Sequence, residues 1–413
     1  MLAEVPMVFI LLGLAAYTVL AGADFGAGFW TLFPGGGRTS RAATRDHARH
    51  AMGPVWEANH VWLVFVLVVC WTAYPVAFAS ITSTLAVPLF IAVVGIVLRG
   101  TSYALRSQLE AARGQRAVEN VFAVSSVLTP FALGAVAGAI ATGRVPVGNA
   151  AGDLVTSWLN PTSVMVGALA VAVSAYLAAV YLAADARRFG EQGLEHDFRL
   201  RALWSGVAAG GLAVAGLLVL RADARPIWDG LTSGTGLVAV AVSAAAGLAT
   251  LVLVWRSRFG PARASAALAV AAIVAGWALA QRPYFLPGLT VSQAAAGRST
   301  LIAVVVTVAI GAVVLVPSLV LLFGLFLRGR LDAGAAPDVP DLDVPARAGT
   351  RSPRLLAAVA LAGLLVGTGL MVLTDSGWAH AVGIACLVAF AASAFLLATT
   401  TPLEEPLEES SSR

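Results

Sequence analysis

Two short stretches of this sequence hold ionisable side chains against long apolar runs. The first is Gly53-Pro54-Val55-Trp56-Glu57-Ala58-Asn59-His60-Val61-Trp62-Leu63. A carboxylate, an amide, an imidazole and two indoles stand together there, and no further charge follows until Arg99. The second is Ala21-Gly22-Ala23-Asp24-Phe25-Gly26-Ala27-Gly28, which closes the first apolar run. Ionisable groups at membrane depth are costly, face protein rather than lipid, and often mark an ion or proton route. A carboxylate kept from water beside others can take up and release a proton. Proton transfer is therefore the chemistry these residues suggest, with Asp24, Glu57 and His60 as its candidates. The competing reading is an ion pair with Arg99 that fixes three helices. Spacing alone leaves both open.

His60 lies three residues after Glu57 and four after Trp56, so all three share one helix face. It could relay protons or bind a metal. A hydrogen-bonded histidine at a bundle mouth is the plainer reading, because no second histidine stands near it on an apolar face. His47 and His50 fall in an arginine-rich segment and read as solvated. Trp56, Trp62, Trp71 and Trp158 could stack on a quinone ring, or form the aromatic belt common at membrane interfaces. Asn59 reads with Trp56 and Trp62 as a structural neighbour of the acids.

These groups need helices that cross a bilayer. Of 413 residues, 59% are hydrophobic and only 12% charged, against roughly 25% charged in a soluble domain. Mean hydropathy is +0.86. Apolar runs of about 20 residues alternate with short polar ones, the pattern of a polytopic all-α membrane protein. A barrel would show strict alternation instead. The apolar N-terminus lacks a leading basic residue and runs into Asp24, so it reads as a first span rather than a cleaved signal.

The runs fall near 5–30, 56–80, 85–106, 118–142, 163–184, 202–220, 237–255, 264–281 and 299–327. A Pro-, Asp- and Gly-rich linker over 331–353 separates this body, 1–330, from two further runs within 354–400. An acidic tail over 401–413, read as disordered, ends the chain. The count is about eleven spans. Gly22 and Gly26 are spaced to let another helix approach closely. Pro283 and Pro287 interrupt any helix between the eighth and ninth runs, and Pro317 should kink the ninth.

Every basic side chain is arginine, and formal net charge is +4. The arginines flank apolar runs, which suits membrane topology rather than nucleic-acid binding. They are densest after runs one, three, five, seven and nine. By the positive-inside rule the N-terminus lies outside and the C-terminus in the cytoplasm. Asp24, Glu57 and Arg99 then come to similar depth near the cytoplasmic face. Cys70 and Cys386 lie inside apolar runs and form no CxxC motif, so they read as small core residues. There is no nucleotide-binding glycine motif, no HExxH, no GxSxG, no CxxCH and no pair of span-interior histidines to hold a haem.

At these residues the chain resembles subunit II of the cytochrome bd-type quinol oxidases. The resemblance rests on the two stretches above and on Leu98-Arg99-Gly100 followed by Tyr103 and Arg106. Weaker echoes are Leu128-Thr129-Pro130, Leu159-Asn160-Pro161 and Tyr284-Phe285-Leu286-Pro287. It covers 1–330, and the last two runs lie outside it. It implies two four-helix bundles plus a peripheral helix, with the final two helices added. It also implies a respiratory heterodimer with a haem-bearing subunit I that carries haem b and haem d and reduces oxygen with quinol. Subunit II binds no haem and has no catalytic residue of its own. It can hold a structural quinone, contacts membrane lipid, and contributes carboxylates to proton uptake from the cytoplasm.

The pattern departs from the family at several points. Glu57-Ala58 stands where Asp-Gly is usual, His60 where Gln or Glu is usual, and Ala21 and Ala104 where acids are common. Two other readings stay open: a proton-coupled secondary transporter, and a structural or assembly subunit of a divergent haem complex.

Overall fold

A proline opens several of the helices, and small residues decide how closely they pack. In the computed structural model, residues 2–33, 41–52, 56–106, 112–327, 353–374 and 376–400 are described. After a short 3-10 turn, α1 (Val5–Leu32) starts with Pro6 in its first turn, where a missing N–H costs nothing. Then come α2 (Arg41–Met52), α3 (Trp56–Ala73), α4 (Pro75–Thr84), α5 (Ala86–Arg106) and α6 (Ala112–Ala141). A turn-rich loop leads to α7 (Pro161–Arg188), α8 (Gln192–Asp223), α9 (Arg225–Leu231), α10 (Gly234–Trp255) and α11 (Phe259–Gln281). A two-stranded hairpin, β1 (Tyr284–Leu286) and β2 (Leu289–Thr290), precedes α12 (Val291–Ala294), α13 (Arg298–Leu327), α14 (Pro353–Leu373) and α15 (Gly377–Thr400).

The protein is a predominantly helical, multi-pass membrane protein. Among the described residues, seven helices are long and apolar enough to cross a bilayer. An eighth span forms if α4 and α5 count as one, although they meet at 83°. Three shorter apolar helices lie within α3, α14 and α15.

Several boundaries differ from the sequence reading. The second run does not continue to Ser80. It breaks at Tyr74, because Pro75 disfavours a helical conformation in the residue before it. Tyr74 is fully buried and its hydroxyl donates to the Ala3 carbonyl at 2.6 Å. The basic segment after α1 is not simply a loop, since 41–52 form α2. The charged stretch 185–201 is also mostly helical. Asp185 pairs with Arg263 of α11, and the Arg201 guanidinium lies 5.2 Å from the Trp30 ring centre and 4.8 Å from that of Phe198. Charges paired or stacked in this way need no loop to reach water.

α1 lies at the centre of the first compact unit, Met1–Leu321, and packs on α3, α6, α7 and α11. α7 packs on α6 and α8, α10 on α11, and α5 on α6. The largest core cluster joins Ala23 and Ala27 of α1 to Leu177, Ala178 and Leu182 of α7 and Phe198 of α8. In lipid such contacts gain from close packing rather than from escape from water. The expected close approach at Gly22 and Gly26 is present: both face Ser174 of α7. In the second unit, Leu322–Arg413, α14 and α15 pack together, with Gly363 against the Cys386 carbonyl and Gly367 against Leu387. Both cysteines are free thiols. The segment 331–350 and the tail 401–413 lie outside the described residues.

Two polar clusters hold the segments between α6 and α8. Asn160 caps α7 by accepting from the Ser163 N–H at 3.0 Å, with Pro161 in the first turn. Arg144 donates to both carboxylate oxygens of Asp223, at 3.0 and 2.6 Å, and the Thr162 hydroxyl donates to the same carboxylate at 2.7 Å. Replacing Arg144 by Gln should lower stability by about 1 kcal/mol, since the pair is partly exposed and Thr162 still serves Asp223. A thermal melt of the purified protein in detergent checks this, and an unchanged midpoint would mean the pair is ornamental. In the same loop Asp153 accepts from the Thr156 and Val155 N–H groups, which hold its carboxyl below the usual aspartate range. The turn is thus favoured while Asp153 is ionised, and that support is lost only as pH falls through the lowered value.

Candidate functional site

Asp24 sits two turns before the end of α1, among small residues that let other helices close over it. It is 1% exposed, and Arg99, reaching from α5, is 2% exposed. Arg99 Nη2 donates to Asp24 Oδ1 at 2.6 Å and to the Asp24 carbonyl at 2.9 Å. Its Nη1 donates to the Ser126 hydroxyl on α6. The guanidinium also lies 4.2 Å from the Phe122 ring centre and 5.1 Å from that of Phe25. Gly28 makes room for this arrangement, because a Cβ there would press on Ser126 and on Arg99 Nη1. One acid and one base thus share a dry pocket between three helices. Such a pair persists only when its remaining donors and acceptors are served. Asp24 Oδ2 is the exception: it is buried and has no hydrogen-bond partner among the described residues.

His60, on α3, approaches the same pocket from the other side. Its ring centre is 6.0 Å from those of both Tyr17 and Phe25. Phe25 thus borders both the imidazole and the guanidinium. Asn59 is buried and donates to the Leu20 carbonyl at 3.3 Å, tying α3 to α1. Trp62 is partly buried against Tyr17, Ala21 and Phe25 and meets Phe65 edge-on at 6.3 Å. The side chains of Trp56 and Glu57 lie outside the described residues. The structure therefore brings together Asp24, Arg99, Asn59, His60 and Trp62. Of the remaining tryptophans, Trp71 is exposed and stacks on Phe78, and Trp158 packs in a separate core cluster.

His47 corrects the sequence reading. It is buried, not solvated: Nε2 lies 3.0 Å from the Leu182 carbonyl oxygen and Nδ1 lies 2.9 Å from Glu191 Oε2. This seats α2 on α7 and on the turn that follows it. His50 lies outside the residues whose side chains are described. Sequence reasoning missed Ser126, Phe122 and Tyr17. A run of serine and threonine at helical spacing, Ser125, Ser126 and Thr129, was the available sign of a polar face on α6. No group of three or more His, Cys, Asp or Glu among the described residues could hold a metal ion.

Residues 2–326 match the family described as cytochrome bd terminal oxidase subunit II. The chain belongs to this family. The cytochrome bd ubiquinol oxidase subunit 2 of Bacillus subtilis (strain 168) is 29% identical over 115 residues, which is 28% of this chain and 33% of that protein. The alignment thus spans about a third of that curated relative. The structure of bd oxidase from Geobacillus thermodenitrificans contains a similar chain, at a TM-score of 0.66 and 25% identity. That likeness covers 79% of this chain and 98% of the other. The residues beyond the subunit II match include α14 and α15.

Proposed function

We propose that this chain is the non-haem subunit II of a cytochrome bd-type quinol:oxygen oxidoreductase, catalytic only with a haem-bearing subunit I. In this reading it supports that partner, which carries haem b and haem d, and conducts protons toward it from the cytoplasm. The observation that carries the proton role is the buried Asp24 carboxylate, with one oxygen on Arg99 and the other unpartnered among the described residues. A carboxylate held in that way is placed to exchange a proton with a neighbour. His60 beside Phe25, and Glu57 three residues before it, are the proposed continuation.

His47 faces Leu182 and Glu191 from α2, whereas His60 faces Tyr17 and Phe25 from α3. A structural quinone remains an implication of the family, and no described residue is assigned to it. The same proposal includes the topology, with the N-terminus outside and the C-terminus cytoplasmic. It also includes the division into an oxidase-subunit body over 1–330, a linker over 331–353, an added helical pair within 354–400 and a tail over 401–413. The family match ending at 326 supports that division.

The test is co-purification and turnover. Affinity purification of the full chain should bring down a haem protein with quinol-dependent oxygen uptake. In that complex Glu57→Gln should slow turnover by on the order of a hundredfold, the low end for loss of a positioned proton-transfer group, while assembly is retained. Unchanged turnover would make Glu57 structural, and proton-coupled transport by the chain alone would overturn the oxidase reading.

A further inference from the structure

Away from the buried pair, the turn joining α7 to α8 and the turn joining α10 to α11 border an open cleft of about 400 Å³. Arg187, Gln192, Glu195, His196, Arg199 and Ser257 line it. Three of these six can be cationic and one is acidic. Glu195 lies 3.7 Å from Arg187, so its charge is already engaged. Arg187 is anchored by donating to the Ser257 carbonyl at 2.5 Å, and Arg199 by donating to the Trp255 carbonyl. Arg199 Nε, by contrast, is buried with no acceptor among the described residues. Arg256 and Arg258 flank Ser257; both are exposed and make no ion pair among the described residues. The cleft is thus a fixed fork of donors with an excess of positive charge.

Its position indicates which anion it suits. Trp255, the last residue of α10, is 63% exposed, and Trp204, five residues beyond Arg199 on α8, is 73% exposed. Exposed tryptophans at span ends mark the headgroup level of a bilayer. Leu200 beside Arg199, and Leu248 and Val252 before Trp255, are also exposed. They continue an apolar surface from the cleft along α8 and α10, which pack together. A free anion would need only the arginines. A phosphate carrying acyl chains would use the arginines and the apolar surface together.

We propose that this cleft seats the phosphate of an anionic phospholipid. Arg187 and Arg199 hold the headgroup, and the chains lie along the exposed faces of α8 and α10. Native mass spectrometry of the full chain, purified with its partner subunit, reads lipid occupancy directly. Phosphatidylglycerol should bind more tightly than phosphatidylcholine. The Arg187→Gln/Arg199→Gln double variant should weaken phosphatidylglycerol by about fivefold for each arginine lost and leave phosphatidylcholine unchanged. Glu195→Gln, which removes the one acid among the six lining residues, should tighten phosphatidylglycerol by about fivefold. A gain of this kind cannot come from misfolding, so it decides the matter if the double variant fails to assemble. Equal affinity for the two lipids, or variants that leave phosphatidylglycerol unchanged, would overturn the proposal. So would displacement of the lipid by millimolar inorganic phosphate, which would make this a site for a free anion.

Discussion

An Arg99→Leu variant should lose about 3–5 kcal/mol of stability, enough to deplete the assembled protein, because it strands the Asp24 carboxylate in a dry pocket. The loss should exceed that of any surface arginine. Arg99 serves Asp24 twice, bonds Ser126 on α6, and lies over Phe122 and Phe25. Each stacked ring adds about 2 kcal/mol where the cation is desolvated. Combining Arg99→Leu with Asp24→Asn removes both charges and should restore much of the loss, since a buried pair replaced as a unit is often close to neutral. Detergent melts of the two single variants and the double variant measure the coupling. If the double variant is no more stable than Arg99→Leu, the pair does not act as a unit. Should the double variant fold yet turn over slowly, the pair's structural role and its role in proton transfer would have been separated.

The second large effect should come from Gly26→Ala. A Cβ at Gly26 would fall on the Ser174 carbonyl, with Ala178 also in the way. The obstruction is backbone, so no rotamer change can relieve it, and α1 must move off α7. Overpacking of this kind costs typically about 1–3 kcal/mol, sometimes more. Gly22→Ala is the control. There the nearest atoms are the Leu177 side chain at 3.2 Å and the Ser174 hydroxyl at 3.6 Å, both of which can yield. Its melt should shift by much less. Equal shifts for the two variants would show that the α1–α7 contact has more slack than its geometry implies.

The apolar segments, the glycine spacing and the identity of Asp24 and Arg99 were all legible in the sequence. Each is announced locally, by a run of apolar residues or by a charge inside one. The cap at Asn160-Pro161 went unread, although an asparagine just before a proline is a local helix-start signal. What the sequence hid depends on distant partners. Ser126 receives Arg99 only because α5 and α6 pack at one rotation, and neighbouring Ser125 is chemically identical. α2 was hidden differently. Its buried residues, Thr44, His47 and Ala48, do follow helical spacing. They are too polar or too small to stand out as an apolar face, so the segment read as a loop. The break at Tyr74 was announced by Pro75. The turn between α4 and α5 was expected near Ser83-Thr84, and the structure places it at Leu85, which its neighbours hold fully buried.

The tie between α1 and α5 also bears on how the chain is built. Synthesis delivers the acid to the bilayer 75 residues before the base that neutralises it. Until α5 arrives, α1 must wait with an uncompensated charge, sheltered by the translocation machinery or by a proton taken up on the carboxyl. Release of the first helices into lipid should therefore be delayed until the third hydrophobic segment has emerged.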